Sequence, residues 1–263
     1  MTVELYQVDA FTDQPFRGNP AAVCLFERQQ SDAWMQALAA EMNLSETAFL
    51  LPEGDGWRLR WFTPATEVDL CGHATLASAC VLFHKHPEWQ GQQLRFRTRS
   101  GVLLASWAAG RIELDFPVKP PTPITVPGGI AEALGFRPIE AVCSGDYFLF
   151  EAPDADLIAA AEPDFQRLKA LPMPEVIITA RSKDPAFDFI SRFFAPQLGI
   201  DEDPVTGSAH CLLAPYWAEK LGKDCFTAYQ ASQRGGVLGL RLSGERVAIT
   251  GAAVIVFQGH LMM

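Results

Sequence analysis

Two glycines that each precede a run of small and apolar residues are the part of this sequence best suited to chemistry. Gly72 and Gly207 lie 135 positions apart, and the run after each predicts a buried helix. The first turn of a helix leaves backbone N–H groups free, and these bind carboxylates and other anions. His73 and Asp203 lie beside the two turns, where they could move a proton next to a bound anion. The competing interpretation is that each glycine only begins its helix.

Glu46 is a second candidate for acid/base chemistry. Its neighbours from Leu44 to Leu50 are mostly apolar. A carboxylate held among them would have its pKa raised by desolvation, as a general acid/base near neutral pH requires. The alternative is an exposed carboxylate in a turn, and the residues alone favour that alternative.

Cys71, directly before Gly72, could be a thiolate near a helix N-terminus. A racemase that uses two thiols needs an opposing cysteine, but Thr206 stands at the matching position of the second run. Cys71 is therefore interpreted as a small buried residue.

Sequence signatures of cofactor and metal sites are missing. There is neither a P-loop nor a Gly-x-Gly-x-x-Gly after a strand, so nothing indicates nucleotide binding. Ser208 lacks the Gly-x-Ser-x-Gly elbow of hydrolases. Cys80, His84 and His86 are better explained as the end of a helix than as metal ligands. We therefore expect no metal and no cofactor.

The sequence repeats itself once. Arg60-Trp61-Phe62-Thr63-Pro64 recurs as Arg192-Phe193-Phe194-Ala195-Pro196, and Gly101 and Gly236 lie 135 positions apart, as the first two glycines do. Five prolines between Pro117 and Pro127 indicate a connecting segment. We therefore predict two similar halves, residues 1–118 and 119–263, with an active-site cleft between them.

The elements around these residues predict an α+β fold with strands wrapped around one buried helix in each half. Alternating runs such as residues 111–116 have the period of half-buried strands. Ser31 is a good N-cap for a helix that presents Trp34, Leu38 and Met42 on one face. The helix after Gly72 should be buried on all sides. Its counterpart should be kinked or shortened by Pro215.

Composition excludes several classes of protein. The 263 residues carry a net charge of −10, which argues against nucleic acid or an anionic membrane as the main partner. The N-terminus has no basic segment followed by a long apolar one, as a secretory signal would. Six scattered cysteines are typical of reduced thiols. We predict a cytoplasmic protein.

Six motifs in order along most of the chain resemble the phenazine-biosynthesis PhzF family, which shares the diaminopimelate epimerase-like fold. The motifs are Tyr6-Gln7-Val8-Asp9-Ala10-Phe11-Thr12, Gly18-Asn19-Pro20-Ala21-Ala22-Val23, Asn43-Leu44-Ser45-Glu46-Thr47-Ala48-Phe49, Leu70-Cys71-Gly72-His73-Ala74-Thr75, Glu202-Asp203-Pro204-Val205-Thr206-Gly207-Ser208-Ala209 and Gln230-Ala231-Ser232-Gln233-Arg234-Gly235-Gly236. The resemblance implies two pseudo-symmetric halves, each a strongly curved sheet or barrel around a central helix.

The resemblance also implies roles for particular residues. Glu46 would shuttle a proton on the substrate without a cofactor, with His73 and Asp203 as its catalytic partners. The substrate, a small metabolite bearing a carboxylate, would be bound by the residues that match the family's binding positions. These are Gly72, Gly207, Ser208 and Asn19. We further expect a homodimer.

The function predicted on this basis is that of a PhzF-like isomerase. An epimerase or racemase of amino or hydroxy acids, and a non-catalytic binding protein that keeps the fold, remain as alternatives. The family's epimerase relatives use two cysteines, which this sequence does not present as an opposing pair.

Overall fold

The computed structural model describes residues 3–262; Met1, Thr2 and Met263, at the ends of the predicted halves, lie outside the described residues. The protein is a mixed α/β protein made mostly of strands, with six α-helices in the described part. It divides into two compact units. The first comprises the described residues up to Phe116 together with those from Ile249 onward, and the second comprises Pro117–Ala248.

Ten strands and helices of the first unit precede the second unit in the chain. The first unit also contains a short 3-10 turn at Pro87–Trp89 and the last strand of the chain. In chain order the ten elements are β1 (Glu4–Ala10), β2 (Asn19–Leu25), α1 (Asp32–Met42), β3 (Glu46–Glu53), β4 (Gly56–Phe62), β5 (Glu67–Val68), α2 (Gly72–Lys85), β6 (Gln93–Thr98), β7 (Gly101–Ala108) and β8 (Arg111–Pro117).

The second unit follows, with a 3-10 turn at Pro196–Leu198. Its elements are β9 (Thr122–Pro123), α3 (Ile130–Leu134), β10 (Glu140–Ser144), β11 (Tyr147–Glu151), α4 (Ala155–Ala159), α5 (Phe165–Ala170), β12 (Glu175–Arg181), β13 (Phe189–Ala195), β14 (Ile200–Asp203), α6 (Gly207–Leu221), β15 (Cys225–Gln230) and β16 (Gly236–Ser243). The chain continues through β17 (Arg246–Gly251) into β18 (Ala253–His260).

The C-terminal strand departs from the predicted division at residue 118. β18 pairs antiparallel with β1, from Glu4 opposite His260 to Ala10 opposite Ala253. The last segment therefore lies in the first unit rather than in the second half. Strand pairing over this sequence distance leaves no local signal, so the sequence repeat did not reveal it.

The same order of strand pairings occurs in both units. In the first, β2 is antiparallel to β1 and parallel to β3, β4 is antiparallel to β3 and β5 and parallel to β6, and β6 is antiparallel to β7. In the second, β10 to β16 repeat that order and those directions, with β13 in the place of β4. The repeat in structure thus begins well before the repeat in sequence.

The predicted glycine-led helices are confirmed. Gly72 and Gly207 are the first residues of α2 and α6, and both helices follow a short strand antiparallel to the strand with the repeated Arg-aromatic-Phe motif. Every residue of α2 from Gly72 to Phe83 is buried. Pro215 lies inside α6, which still reaches Leu221, so the predicted shortening is wrong.

The predicted cap of α1 is also confirmed, because the Ser31 side chain accepts a hydrogen bond from the Trp34 backbone N–H. The buried face differs from the prediction. Met35 and Ala39 are buried, whereas Trp34, Leu38 and Met42 are partly buried and flank them against the same cluster.

None of the helices formed by residues 3–262 has the length and apolar character needed to span a membrane. All six cysteines are free thiols, and Cys24, Cys71, Cys80 and Cys211 are buried.

Candidate functional site

Glu46 lies at the start of β3, where the chain leaves helix α1. The helix is capped by Asn43, whose φ of 50° is left-handed, a conformation that asparagine tolerates. Three residues later the Glu46 side chain is only 13% exposed, and its Oε2 lies 3.2 Å from Nε2 of His73. The alternative of an exposed turn carboxylate is therefore wrong.

His73, the second residue of α2, is held as a neutral ring. Its Nδ1 lies 3.1 Å from the amide nitrogen of Asn19, and burial lowers the pKa of the ring to about 3. Since the Asn19 amide donates to Nδ1, the single ring proton is on Nε2. Nε2 lies 3.2 Å from Glu46 Oε2, so the neutral ring directs its N–H side toward that carboxylate without placing a charge beside it. This contact fixes the position of a carboxylate that is able to accept and return a proton.

Asn19 is placed by the turn before β2. Gly18 has a φ of +63°, and a Cβ there would lie 2.1 Å from the carbonyl oxygen of Ala10. Only glycine permits this close approach. Asn19 is fully buried and pairs with Ala10 in the β1–β2 ladder, so its amide is fixed toward His73.

Cys71 completes the first cluster. Its Sγ lies 3.5 Å from Nδ1 of His73, and one polar atom each of Glu46, Cys71 and His73 lie within 4.8 Å of one another. A carboxylate, a thiol and an imidazole are a donor set that zinc accepts. Here the same atoms are engaged with each other and with Asn19, and the absence of a metal stays a prediction.

Asp203, Gly207 and Ser208 lie together in a second cluster, in the second unit. Asp203 ends β14, is 7% exposed, and accepts a hydrogen bond from the Thr206 hydroxyl. Gln230 ties this turn together: its amide nitrogen donates to the Asp203 carbonyl, and its carbonyl oxygen accepts from the Thr206 N–H, both at 2.8 Å. These two hydrogen bonds fix the backbone turn that leads into α6.

The N-termini of α2 and α6 resemble each other in two further ways. Neither N-cap residue, Cys71 or Thr206, caps its helix with its side chain. In each helix the residue four positions after the N-cap donates back to the N-cap carbonyl: Thr75 Oγ1 at 2.5 Å and His210 Nδ1 at 2.8 Å. These bonds hold both first turns, where we expect anions to bind.

The buried His210 gives a testable pH dependence. Burial lowers the pKa of its ring to about 4, and Nε2 has no hydrogen-bond partner among the described residues. Between pH 6.5 and about 4 the unfolded chain binds a proton here and the folded chain does not, so the free energy of unfolding falls as pH falls. We expect His210→Gln to reduce this slope by about 1.4 kcal/mol per pH unit in urea titrations.

The matched control is His84→Gln, which changes an exposed histidine on α2. It should leave the slope unchanged. An equal slope in the wild type and in His210→Gln would show that the His210 ring is charged in the folded protein.

Sequence reasoning missed three polar residues of the second unit. Gln230 begins one of the six family motifs, but nothing in that motif indicates that its side chain hydrogen-bonds to the turn before α6. Tyr147 donates a hydrogen bond of 2.9 Å to Ser208 Oγ, and Glu175 lies opposite Tyr147 in the β11–β12 ladder. Neither residue is part of a recognisable motif, and only the strand register places the two side by side.

Residues 8–259 match the phenazine biosynthesis-like protein family, PhzC-PhzF. The chain belongs to this family. An uncharacterized isomerase of Halalkalibacterium halodurans is 48% identical over 100% of both chains.

Solved structures give the same result for the fold. A PhzF family phenazine biosynthesis protein from Enterococcus faecalis superposes with a TM-score of 0.95 at 43% identity, covering 100% of both chains. A probable proline racemase from Agrobacterium radiobacter, at 14% identity and a TM-score of 0.66, covers 100% of this chain and 93% of its own. At that identity the racemase shows a shared fold alone.

Proposed function

We propose that this PhzF family protein is a cofactor-independent isomerase that moves a proton within a small conjugated carboxylate. The observation that carries the proposal is the contact between Glu46 and the buried, neutral His73, whose other nitrogen is held by Asn19. A carboxylate positioned in this way is suited to proton transfer. The Halalkalibacterium halodurans relative, named an isomerase, supports the reaction class.

The reaction needs one carboxylate. Glu46 removes a proton from a substrate carbon, and the electron pair of the broken C–H bond moves into the conjugated system. The protonated Glu46 then gives the proton to a different carbon, so that a new C–H bond forms and the double bond has moved. His73 stays neutral and remains in contact with Glu46 through Nε2 throughout. No oxidant or reductant is consumed.

The charge that develops on the substrate requires stabilisation. We propose that backbone N–H groups at Gly72 and Gly207, with the Ser208 hydroxyl, bind the substrate carboxylate, and that Asp203 and Asn19 contact substrate as hydrogen-bonding groups. The lack of side-chain caps at both helix N-termini supports this assignment. We also propose the finer architecture of curved sheets around α2 and α6, and a homodimer.

The experiment that tests this function is a substrate screen in deuterium oxide. Small unsaturated carboxylates are incubated with the protein, and proton NMR follows movement of the double bond and uptake of deuterium. We expect one class to isomerise without added metal or nucleotide. Deuterium exchange at a chiral α-carbon with inversion, and no movement of a double bond, would instead identify an epimerase.

The epimerase alternative predicts an essential thiol, and Cys71 is the thiol nearest the site. We expect Cys71→Ala to keep turnover within about 10-fold of the wild type, because proton transfer is assigned to Glu46. Cys80→Ala, a buried thiol further along α2, is the control for loss of packing. A loss of ~10²-fold or more in Cys71→Ala alone would return the thiol to the mechanism.

A further inference from the structure

A proline inside α6 frees a backbone carbonyl for the segment between β8 and β9. In an α-helix the carbonyl of Cys211 accepts a hydrogen bond from the N–H of the residue four positions later. That residue is Pro215, which has no N–H. The backbone N–H of Lys119 donates to the Cys211 carbonyl instead, at 3.0 Å. Residues 118–121 are therefore attached to α6 about one turn from its first residue.

The same attachment brings the ammonium of Lys119 to the ring of Tyr147. Its Nζ lies 4.3 Å from the centre of that ring, within the range of a cation–π contact. The hydroxyl oxygen of the ring lies 2.9 Å from Oγ of Ser208, the second residue of α6. Lys119 and Ser208 thus contact one phenol, at its face and at its hydroxyl. All three residues are only partly buried, so a small ligand can reach them.

The charge of Lys119 is not balanced by an ion pair. Within residues 3–262 no carboxylate lies at ion-pairing distance from its Nζ, and Glu175 acts on the charge only from further away. Every other cation that lies over an aromatic ring in this part of the chain also pairs with a carboxylate. These cations are Arg60, Arg192, Lys220 and Lys223. A partly buried ammonium without such a partner favours an anion beside it.

We propose that Lys119 is a substrate-binding residue whose ammonium pairs with the carboxylate held at Ser208, so that the site selects an ionised carboxylate over the neutral amide of the same shape. The proposal rests on the proposed function, because Ser208 is assigned there to the substrate carboxylate. It adds a specificity residue that lies outside the six family motifs. Proton transfer stays with Glu46.

The chemistry of the two groups explains the selection. An ammonium can only donate hydrogen bonds, and the Ser208 hydroxyl has a proton to donate. A carboxylate offers both of its oxygens as acceptors to these two donors. An amide offers one oxygen and turns its NH2 group toward the other donor, which is then left without an acceptor. The ammonium of Lys119 also attracts the negative charge that the amide lacks.

The first test uses acetate as the probe and acetamide as its neutral counterpart, at constant ionic strength. In protein labelled with carbon-13 at the lysine Cε, the signal that is missing from Lys119→Met is assigned to Lys119. We expect acetate to shift this signal until it saturates, and acetamide to leave it in place. A Lys119 signal that does not respond to acetate, or that responds equally to acetamide, overturns the proposal.

Variants then test the charge itself, with the backbone amide signal of Ser208 as the measure of acetate binding. Lys119→Met keeps the aliphatic stem and should bind acetate roughly 10-fold more weakly. Lys119→Arg keeps the charge and should restore binding. The control is Lys223→Met, which removes a lysine that lies over Phe226 and pairs with Asp188, and it should bind acetate as the wild type does. Equal affinity in Lys119→Met and the wild type overturns the proposal.

Turnover separates this inference from the proposed function. With the substrate identified by the deuterium screen, Lys119→Met should raise KM roughly 10-fold and change kcat by less than about 3-fold, because the ion pair is present before and during proton transfer. Glu46→Gln should lower kcat and leave acetate binding unchanged. An unchanged KM in Lys119→Met, with turnover that still depends on Glu46, would overturn this inference and leave the proposed function standing.

Discussion

Glu46→Gln is expected to lose at least ~10²-fold in turnover with the substrate identified by the deuterium screen. Removal of a general acid/base costs ~10²–10⁴-fold, or roughly 3–5 kcal/mol of barrier. The amide keeps the size of the side chain, and its oxygen can occupy the place of Oε2, which lies 3.2 Å from His73 Nε2 in the wild type. It cannot take up and return a proton. The loss should therefore appear in kcat and in solvent deuterium uptake, with little change in stability.

Two controls make this result specific. Glu53→Gln changes an exposed glutamate of the same strand and should retain wild-type turnover. The wild type should keep its activity after treatment with a chelator, because no step requires a metal. Near wild-type rates for Glu46→Gln would remove this residue from the mechanism, and Asp203 and His73 would become the bases to test.

Arg192→Met is expected to lower the free energy of unfolding by about 3–5 kcal/mol, the largest stability effect among the ion pairs considered. Arg192 is 12% exposed and binds both carboxylate oxygens of Glu202, at 2.7 and 2.9 Å. Its Nη1 also donates to the carbonyl of Ala161 at 2.6 Å, which connects the segment after α4 to β13. Methionine fills much of the space and leaves Glu202 without this partner.

The control is Arg167→Met, which removes a pair with Asp164 in which the two side chains are 61% and 46% exposed. Exposed pairs contribute about 0–1 kcal/mol, so the midpoint of urea unfolding should hardly move. If Arg192→Met lowered the free energy of unfolding by less than ~1 kcal/mol, water would be solvating the Glu202 carboxylate as well as the guanidinium does. The first unit contains the same pair, Arg60 with Glu67, at 2.7 and 2.6 Å.

The arginine–glutamate ion pair that occurs in both units explains part of the sequence repeat. Arg60 and Arg192 stand at the start of the repeated motif, and each binds an acidic residue on the short strand that follows. Helices α2 and α6 carry a second doubled contact near their C-termini: Lys85 pairs with Glu4, and Lys220 pairs with Glu151 and Glu140. The repeat thus preserves contacts that hold each helix within its own unit.

The sequence alone predicted several local features. The Ser31 cap, the Gly72 and Gly207 helix starts and the burial of α2 were predicted correctly, because each depends on a few neighbouring residues and on the 3.6-residue period. Family membership followed from motifs in order along most of the chain and is confirmed by the match over residues 8–259. Glu46 and His73 were selected from these motifs.

The tertiary structure decided how distant segments meet. In the structure β18 pairs with β1, and the side-chain amide of Asn19 hydrogen-bonds to the ring of His73. The β11–β12 register places Tyr147 opposite Glu175. These contacts join residues far apart in the chain, and strand pairing accepts many side chains at a given position, so the sequence carries no short-range pattern for them. The lowered pKa of His73 depends on the burial of its ring, and no stretch of sequence determines that burial alone.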